Sequence, residues 1–456
     1  MDPQTRFAVG EKYAYSDGLG NYLQSEALPG ALPAVINSPQ KPPFGLRTER
    51  ISGSAFVAPR HHSYHTFLYR VHSSMDHSEF MPLNITGGYG SISKADLANV
   101  SPNTHFWNAF PVPESADWVS GQQLLGRTGD PHKKEGASIW IFAVTDSMPE
   151  HQAFASLDGE MLIVPQSGAL DIQTELGRLL VRQNEIAVIP RGVRHRVTLV
   201  DGAPCRGYIC ELHQGHFRLP ELGVIGTVGL AGVRDFQVPK ACIDAAARER
   251  IESCSAARIK VEWDMVARLS GKYWHCTQHQ TPFDVAAWHG QCYPYKYDLS
   301  RFAALGAVRF DHHDPSLFTV LTARNHGAEP STAVLDFALI PPRWAAMKDT
   351  LWIPYYHRNT MQEFFGAIVQ AQDPQHPLNG KTAAFRPFGG GCMNAMSTHG
   401  AAEADLEREM ARDTEQAAKV AGEGVAVFVF ELDRPVVWSD WALDHVELNH
   451  WSKLKL

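Results

Sequence analysis

The sequence predicts a mainly β protein built from two barrel-like units with a few peripheral helices. Turn residues run the whole length of the chain, with 36 Gly and 29 Pro among 456 residues. Short runs rich in Val, Ile and Phe lie between them, at 138–144, 161–164, 186–189, 318–323, 334–340 and 425–430. Many short strands between frequent turns indicate sandwiches or barrels. Helical patterning is scarce. Residues 243–253 (IDAAARERIES) are rich in strong helix formers, and 401–421 place Glu403, Leu406, Met410 and Ala417 at helical spacings along a thin apolar stripe. A single further turn is expected over 345–350.

A chain of 456 residues is too long for one compact core. The expected division is an N-terminal β domain over 1–285, holding a degenerate barrel at about 155–200, and a C-terminal jelly-roll barrel over 286–456.

Composition narrows the function. The hydrophobic share of 44% and charged share of 20% are those of an ordinary globular protein. A net charge of −8 supplies no basic face for phosphate and argues against a nucleic-acid partner. Residues 1–20 are polar and read as neither signal peptide nor membrane anchor. No run reaches the roughly 18 apolar residues of a spanning helix. The seven cysteines are odd in number and form no CxxC pair, which suits reduced thiols in the cytoplasm better than a disulfide frame or a thiolate zinc site. Histidine, at 22, directs attention to a His/carboxylate metal site.

Two motifs carry that chemistry. The turn Pro190-Arg191-Gly192-Val193-Arg194-His195, followed by a strand, is similar to the second metal motif of cupin barrels. The matching first motif, around 157–168, holds no histidine, so this barrel is expected to hold no metal and His195 to be structural. The second motif is His357-Arg358-Asn359-Thr360-Met361-Gln362-Glu363, the first cupin metal pattern with its second His replaced by Asn359. His357 and Glu363 would lie about 20 Å apart on a straight strand, so a turn must intervene before they share an ion. His399, after a turn expected at Gly389-Gly390-Gly391, stands where the second cupin motif places its His. Two imidazoles and one carboxylate on one face leave three adjacent positions open, as in non-haem Fe(II) oxygenases.

Long segments then make the chain recognisable. They include Pro29-Gly30-Ala31-Leu32-Pro33, Leu46-Arg47-Thr48-Glu49-Arg50-Ile51-Ser52-Gly53-Ser54-Ala55-Phe56 and Leu68-Tyr69-Arg70. Further along stand Trp288-His289-Gly290, Pro294-Tyr295-Lys296-Tyr297, Phe318-Thr319-Val320-Leu321-Thr322, Pro341-Pro342-Arg343-Trp344 and Pro354-Tyr355-Tyr356-His357-Arg358-Asn359. Almost end to end, the chain resembles the homogentisate 1,2-dioxygenase family. The resemblance implies Fe(II), with O2 as co-substrate, opening homogentisate to maleylacetoacetate in tyrosine and phenylalanine catabolism, by a homo-oligomer, trimer or hexamer. It implies His357, Glu363 and His399 as iron ligands and His289 as the acid/base residue at the substrate hydroxyl. An imidazole held partly out of water titrates near working pH and can take a phenolic proton.

Two departures bear on the substrate. The family has a tyrosine shortly after the glutamate ligand, whereas this chain has none after Tyr356 and carries a longer stretch at 369–382. The family also has a histidine a few residues before the last ligand, and none stands between Cys392 and Thr398 here. Candidate substrate contacts are therefore His399, Tyr355, Asn394 and the inserted His376. A polar substrate group left unpaired costs about 1–3 kcal/mol of binding. The same chemistry on hydroquinone, an alkylhydroquinone or a gentisate-like substrate is thus the alternative. A non-catalytic two-barrel protein binding a small ligand is the second alternative.

Overall fold

The structure is a computed structural model, and it describes residues 7–33, 41–85, 102–221, 230–253, 261–302, 319–325, 332–341, 343–345, 348–349, 356–369, 386–400, 402–416, 418–420 and 426–447. The chain is mainly β, as the sequence predicts. Each apolar run of the sequence lies in or overlaps a strand: Ala137–Val144, Glu160–Ser167, Glu185–Ile189, Thr319–Arg324, Ala333–Ile340 and Ala426–Leu432. All eight residues of Ala137–Val144 are buried, so this strand is covered on both faces and shows no alternation.

Two large sheets form the first barrel. A nine-stranded sheet has Glu160–Ser167 and Cys205–Leu212 at its centre, and a seven-stranded sheet contains His195–Leu199, Gln152–Ser156 and Trp263–Leu269. Over 152–199 the chain crosses back and forth between the two sheets, with Ala169–Thr174 and Gly177–Arg182 forming a hairpin within the seven-stranded one, and the sheets join through a continuous apolar core including Phe154, Leu162, Ile172, Val188 and Val197. The interior also holds a charge pair. Arg268, from one sheet, donates to Glu211 at 2.7 Å and to Gln122 at 2.8 Å on the other, and its guanidinium lies 4.1 Å from the Trp140 ring centre. Both charged side chains are fully buried, so each is the other's main source of compensation.

The candidate site belongs to a six-stranded sheet in the order Thr319–Arg324, Ala333–Ile340, Ala426–Leu432, Gln362–Val369, Gly390–Met393, His105–Trp107. A four-stranded sheet pairs Leu23–Glu26, Val285–Gly290, His65–Arg70 and Arg47–Ser52. The sheets do not follow the chain in two consecutive blocks. His105–Trp107 completes the edge of the six-stranded sheet, while Val437–Trp438 pairs with Gln122–Thr128 in the nine-stranded one. The Trp107 and Trp438 rings meet at 4.7 Å where these exchanged strands pass.

Two local expectations need correction. The helix expected over 401–421 is confined to Glu403–Met410. Beyond it the Asp413 carboxylate accepts the Glu415 N–H, a local turn that competes with the helix, and Ala418–Val420 is a strand. The turn expected over 345–350 falls largely outside the described residues, of which Ala345 ends the Arg343–Ala345 strand and Asp349 has φ +60°. Gly390 and Gly391, expected in a turn, lie in the Gly390–Met393 strand. A Cβ on Gly390 would sit 3.0 Å from the Phe364 ring, so the glycine serves close packing there. The helix expected over 243–253 is present as Ala245–Ser253.

Candidate metal centre

Glu363 is the second residue of the Gln362–Val369 strand, opposite Met393 on one side and Glu431 on the other. His357 precedes that strand, and His399 follows the Gly390–Met393 strand beside it. The backbone turns between His357 and Glu363, which the sequence required. Asn359 makes the turn, its side-chain oxygen accepting the Met361 N–H at 2.9 Å.

The three residues converge. Their ligand atoms lie within 4.8 Å of one another, and they are one such group among the described residues. His357 Nε2 is 3.7 Å from Glu363 Oε1, and His399 Nε2 is 3.3 Å from Glu363 Oε2. The two imidazole centres are 4.2 Å apart. The side chain of Glu363 is only 14% exposed and that of His399 10%, so the group sits in a partly desolvated recess.

Its electrostatics suit a cation. His399 Nδ1 lies 2.9 Å from the Ser397 carbonyl and donates to it, leaving Nε2 with a lone pair. That buried Nε2 faces a carboxylate oxygen without a well-formed hydrogen bond. Two acceptors aimed at each other repel unless a cation or a proton stands between them. Burial lowers the proton affinity of His399, but the Glu363 carboxylate and the Ser397 carbonyl outweigh it and raise the pKa. For Glu363, burial opposes ionisation, but contacts from His399 and Asn359 hold its carboxyl below the usual range. An ionised carboxylate and two imidazoles, one tautomer fixed by a backbone carbonyl, fit a divalent transition metal.

His289 lies elsewhere, on the Val285–Gly290 strand of the four-stranded sheet, and is 1% exposed. Its Nδ1 meets the Tyr22 hydroxyl and its Nε2 the Tyr69 hydroxyl at 2.9 Å, with Phe67 stacked at 5.3 Å. Burial, supported by the nearby His65, lowers its pKa, so the ring is neutral at pH 7 with one donor and one acceptor nitrogen. Burial also raises the pKa of both phenols. Gly290 fixes this arrangement: a Cβ there would lie 2.3 Å from the His65 carbonyl oxygen.

The remaining candidates differ. Asn394 accepts from Gln362 at 3.0 Å and donates to the Asn103 carbonyl. Tyr355 and His376 lie outside the described residues. In the first barrel His195 Nε2 accepts from the Trp118 indole at 3.1 Å, so that lone pair is already used. A cavity of about 280 Å³ lined by Arg47, His72, Asp76, Arg250 and Gln280 contains none of these residues. Sequence reasoning missed Tyr22, Tyr69 and the amide of Asn359. Tyr69 stands on a strand, and Tyr22 just before one, far from His289 in sequence, and only strand pairing brings them together.

The family model for the homogentisate 1,2-dioxygenase N-terminal part matches residues 14–299, and that for the C-terminal part matches 300–455. Homogentisate 1,2-dioxygenase of Emericella nidulans is 45% identical over 99% of this chain and 98% of its own. The protein of that name from Pseudomonas syringae pv. tomato is 43% identical over 88% of this chain and 86% of its own. With both halves matched and relatives this similar over nearly their whole length, the chain belongs to the homogentisate 1,2-dioxygenase family.

Proposed function

We propose that the protein is an Fe(II)-dependent ring-cleaving dioxygenase that opens homogentisate with O2 to maleylacetoacetate. The convergence of His357, Glu363 and His399 in a chain of this family carries the reading. Bound Fe(II) would supply the redox chemistry and hold the aromatic substrate beside O2. The protein's own groups do the rest. Glu363 stays ionised in its recess, balancing the cation's charge. The Ser397 carbonyl holds the tautomer and orientation of His399. His289, neutral between two phenols, is suited to take up the substrate's phenolic proton through the Tyr22 or Tyr69 hydroxyl.

The same proposal includes a cytoplasmic homo-oligomer, trimer or hexamer. Exposed apolar side chains on the N-terminal part, among them Phe56 at 78% and Val57 at 94%, favour self-association. No helix among the described residues is long and apolar enough to cross a membrane.

The test is O2 consumption by anaerobically Fe(II)-loaded protein with homogentisate, gentisate and hydroquinone in parallel. Uptake with homogentisate that disappears in His357→Ala is the expected result. Uptake only with another hydroquinone would move the substrate, and no uptake despite bound iron would leave a ligand-binding protein.

A further inference from the structure

Asn359 stands where the pattern replaces an imidazole by an amide, and as a direct ligand an amide is weak. The structure gives it another task. Its Nδ2 donates to Glu363 Oε1 at 2.8 Å. The amide cannot be turned round without penalty, because its Oδ1 accepts the Met361 N–H at 2.9 Å. Its backbone carbonyl accepts the Met396 N–H at 2.7 Å, with Met396 held at φ +60° in the loop that leads to His399. One residue thus touches the carboxylate and both chain segments that deliver the imidazoles.

We infer that Asn359 is the positioning residue that keeps Glu363 a one-oxygen ligand, and so sets the number of open positions on the metal. The inference rests on the metal reading above. Oε1, 3.7 Å from His357 Nε2, has one lone pair taken by the amide, while Oε2 is the oxygen 3.3 Å from His399 Nε2. With two imidazoles and one oxygen bound, a six-coordinate ion keeps three positions. A substrate chelating through two atoms, together with O2, needs all three. If the carboxylate were released to bind through both oxygens, two would remain. An imidazole at 359 would also leave two, by adding a fourth ligand. On either route metal binding survives and joint binding of chelating substrate and O2 does not. The amide thereby selects oxygenase chemistry over that of a four-ligand site.

Co(II) is the probe, because its visible absorption reports coordination number. Its affinity is read by competition with a chelator under anaerobic conditions, without turnover. Asn359→Ser keeps a hydroxyl near the Met361 N–H but is too short for Glu363. It should weaken Co(II) binding about 10–100-fold and change the visible band. Asn359→His should tighten Co(II) binding at least ~10-fold while abolishing the spectral change that homogentisate produces in the parent protein. Wild-type affinity and spectrum in Asn359→Ser would overturn the inference. So would an Asn359→His protein whose Co(II) still responds to homogentisate as the parent does. Circular dichroism checks the fold, and if Asn359→Ser fails to fold, Asn359→His decides alone. Failure of the parent protein to bind Co(II) would instead overturn the metal reading itself.

Discussion

His357 and His399 are backbone partners: the N–H of each donates to the carbonyl of the other, at 2.9 and 3.0 Å. The imidazoles are therefore brought together by an isolated β-bridge. A site assembled by its own backbone stays largely organised when the metal leaves.

Metal removal should accordingly leave the fold intact. Chelation is expected to lower the melting temperature while the far-ultraviolet circular dichroism at 25 °C stays unchanged. Restored metal at 100 times its dissociation constant should return about 2.7 kcal/mol of stability. Glu363→Gln should weaken metal binding by at least ~100-fold, since a ligand counts for no less than its supporting contacts. Calorimetry with and without chelator checks both, and an unfolded apoprotein would contradict the first.

Tyr69→Phe removes the hydroxyl 2.9 Å from His289 Nε2 and keeps the ring. If His289 moves the substrate proton, kcat should fall by at least ~10-fold with little change in KM, since full loss of proton-transfer assistance costs roughly 10²–10⁴-fold. The depressed pKa of His289 adds a sign. The neutral base persists below the ordinary value of 6.5, so its acid limb in kcat/KM should lie below 6.5. An unchanged kcat in Tyr69→Phe would remove the phenol from the proton path.

Arg268 and Glu211 form a buried ion pair at 2.7 Å inside the first barrel. Arg268→Met strands a buried carboxylate and should cost about 3–5 kcal/mol. Adding Glu211→Gln removes the stranded charge and should return much of that stability. Urea unfolding of the single and double variants gives the coupling, and simple additivity would mean that the pair is already well hydrated.

His195 predicts a pH dependence. Burial pushes its pKa down to about 4 from an ordinary 6.5. Between those values the unfolded chain takes a proton that the native state refuses. The stability contributed by keeping His195 neutral is complete above 6.5, declines as pH falls and is gone below about 4. The span corresponds to about 3 kcal/mol at most. In His195→Gln the urea midpoint should vary less between pH 7 and 4, and an equal slope would place the acid sensitivity in other groups.

Much of the site was legible from spacing, because the segments around His357, Glu363 and His399 are short motifs whose order survives in one dimension. The strands were legible where apolar runs ended at turn residues, as at 186–189. The helix over 401–421 was overestimated because helical spacing says nothing of the turn closed by Asp413. Asn359 read as a poor ligand because residue type does not reveal which neighbour an amide faces. Tyr22 carried no signal, and Tyr69 stood in a recognisable segment without any sign of its role. They reach His289 only because Leu23–Glu26 and His65–Arg70 flank its strand, and the registers that set those pairings are decided over more than 200 residues of chain.

The exchange of edge strands has a consequence for synthesis. Gln122–Thr128 gains its outer neighbour only when Val437–Trp438 arrives, about 310 residues later by difference of residue numbers (438 − 128). At 5–20 residues per second a ribosome needs roughly 15–60 s to bridge that gap. Throughout it the nascent chain presents a bare strand margin, the kind of surface on which unfinished chains join one another. Translation of this protein is therefore expected to depend on chaperone cover until Val437 and Trp438 have emerged.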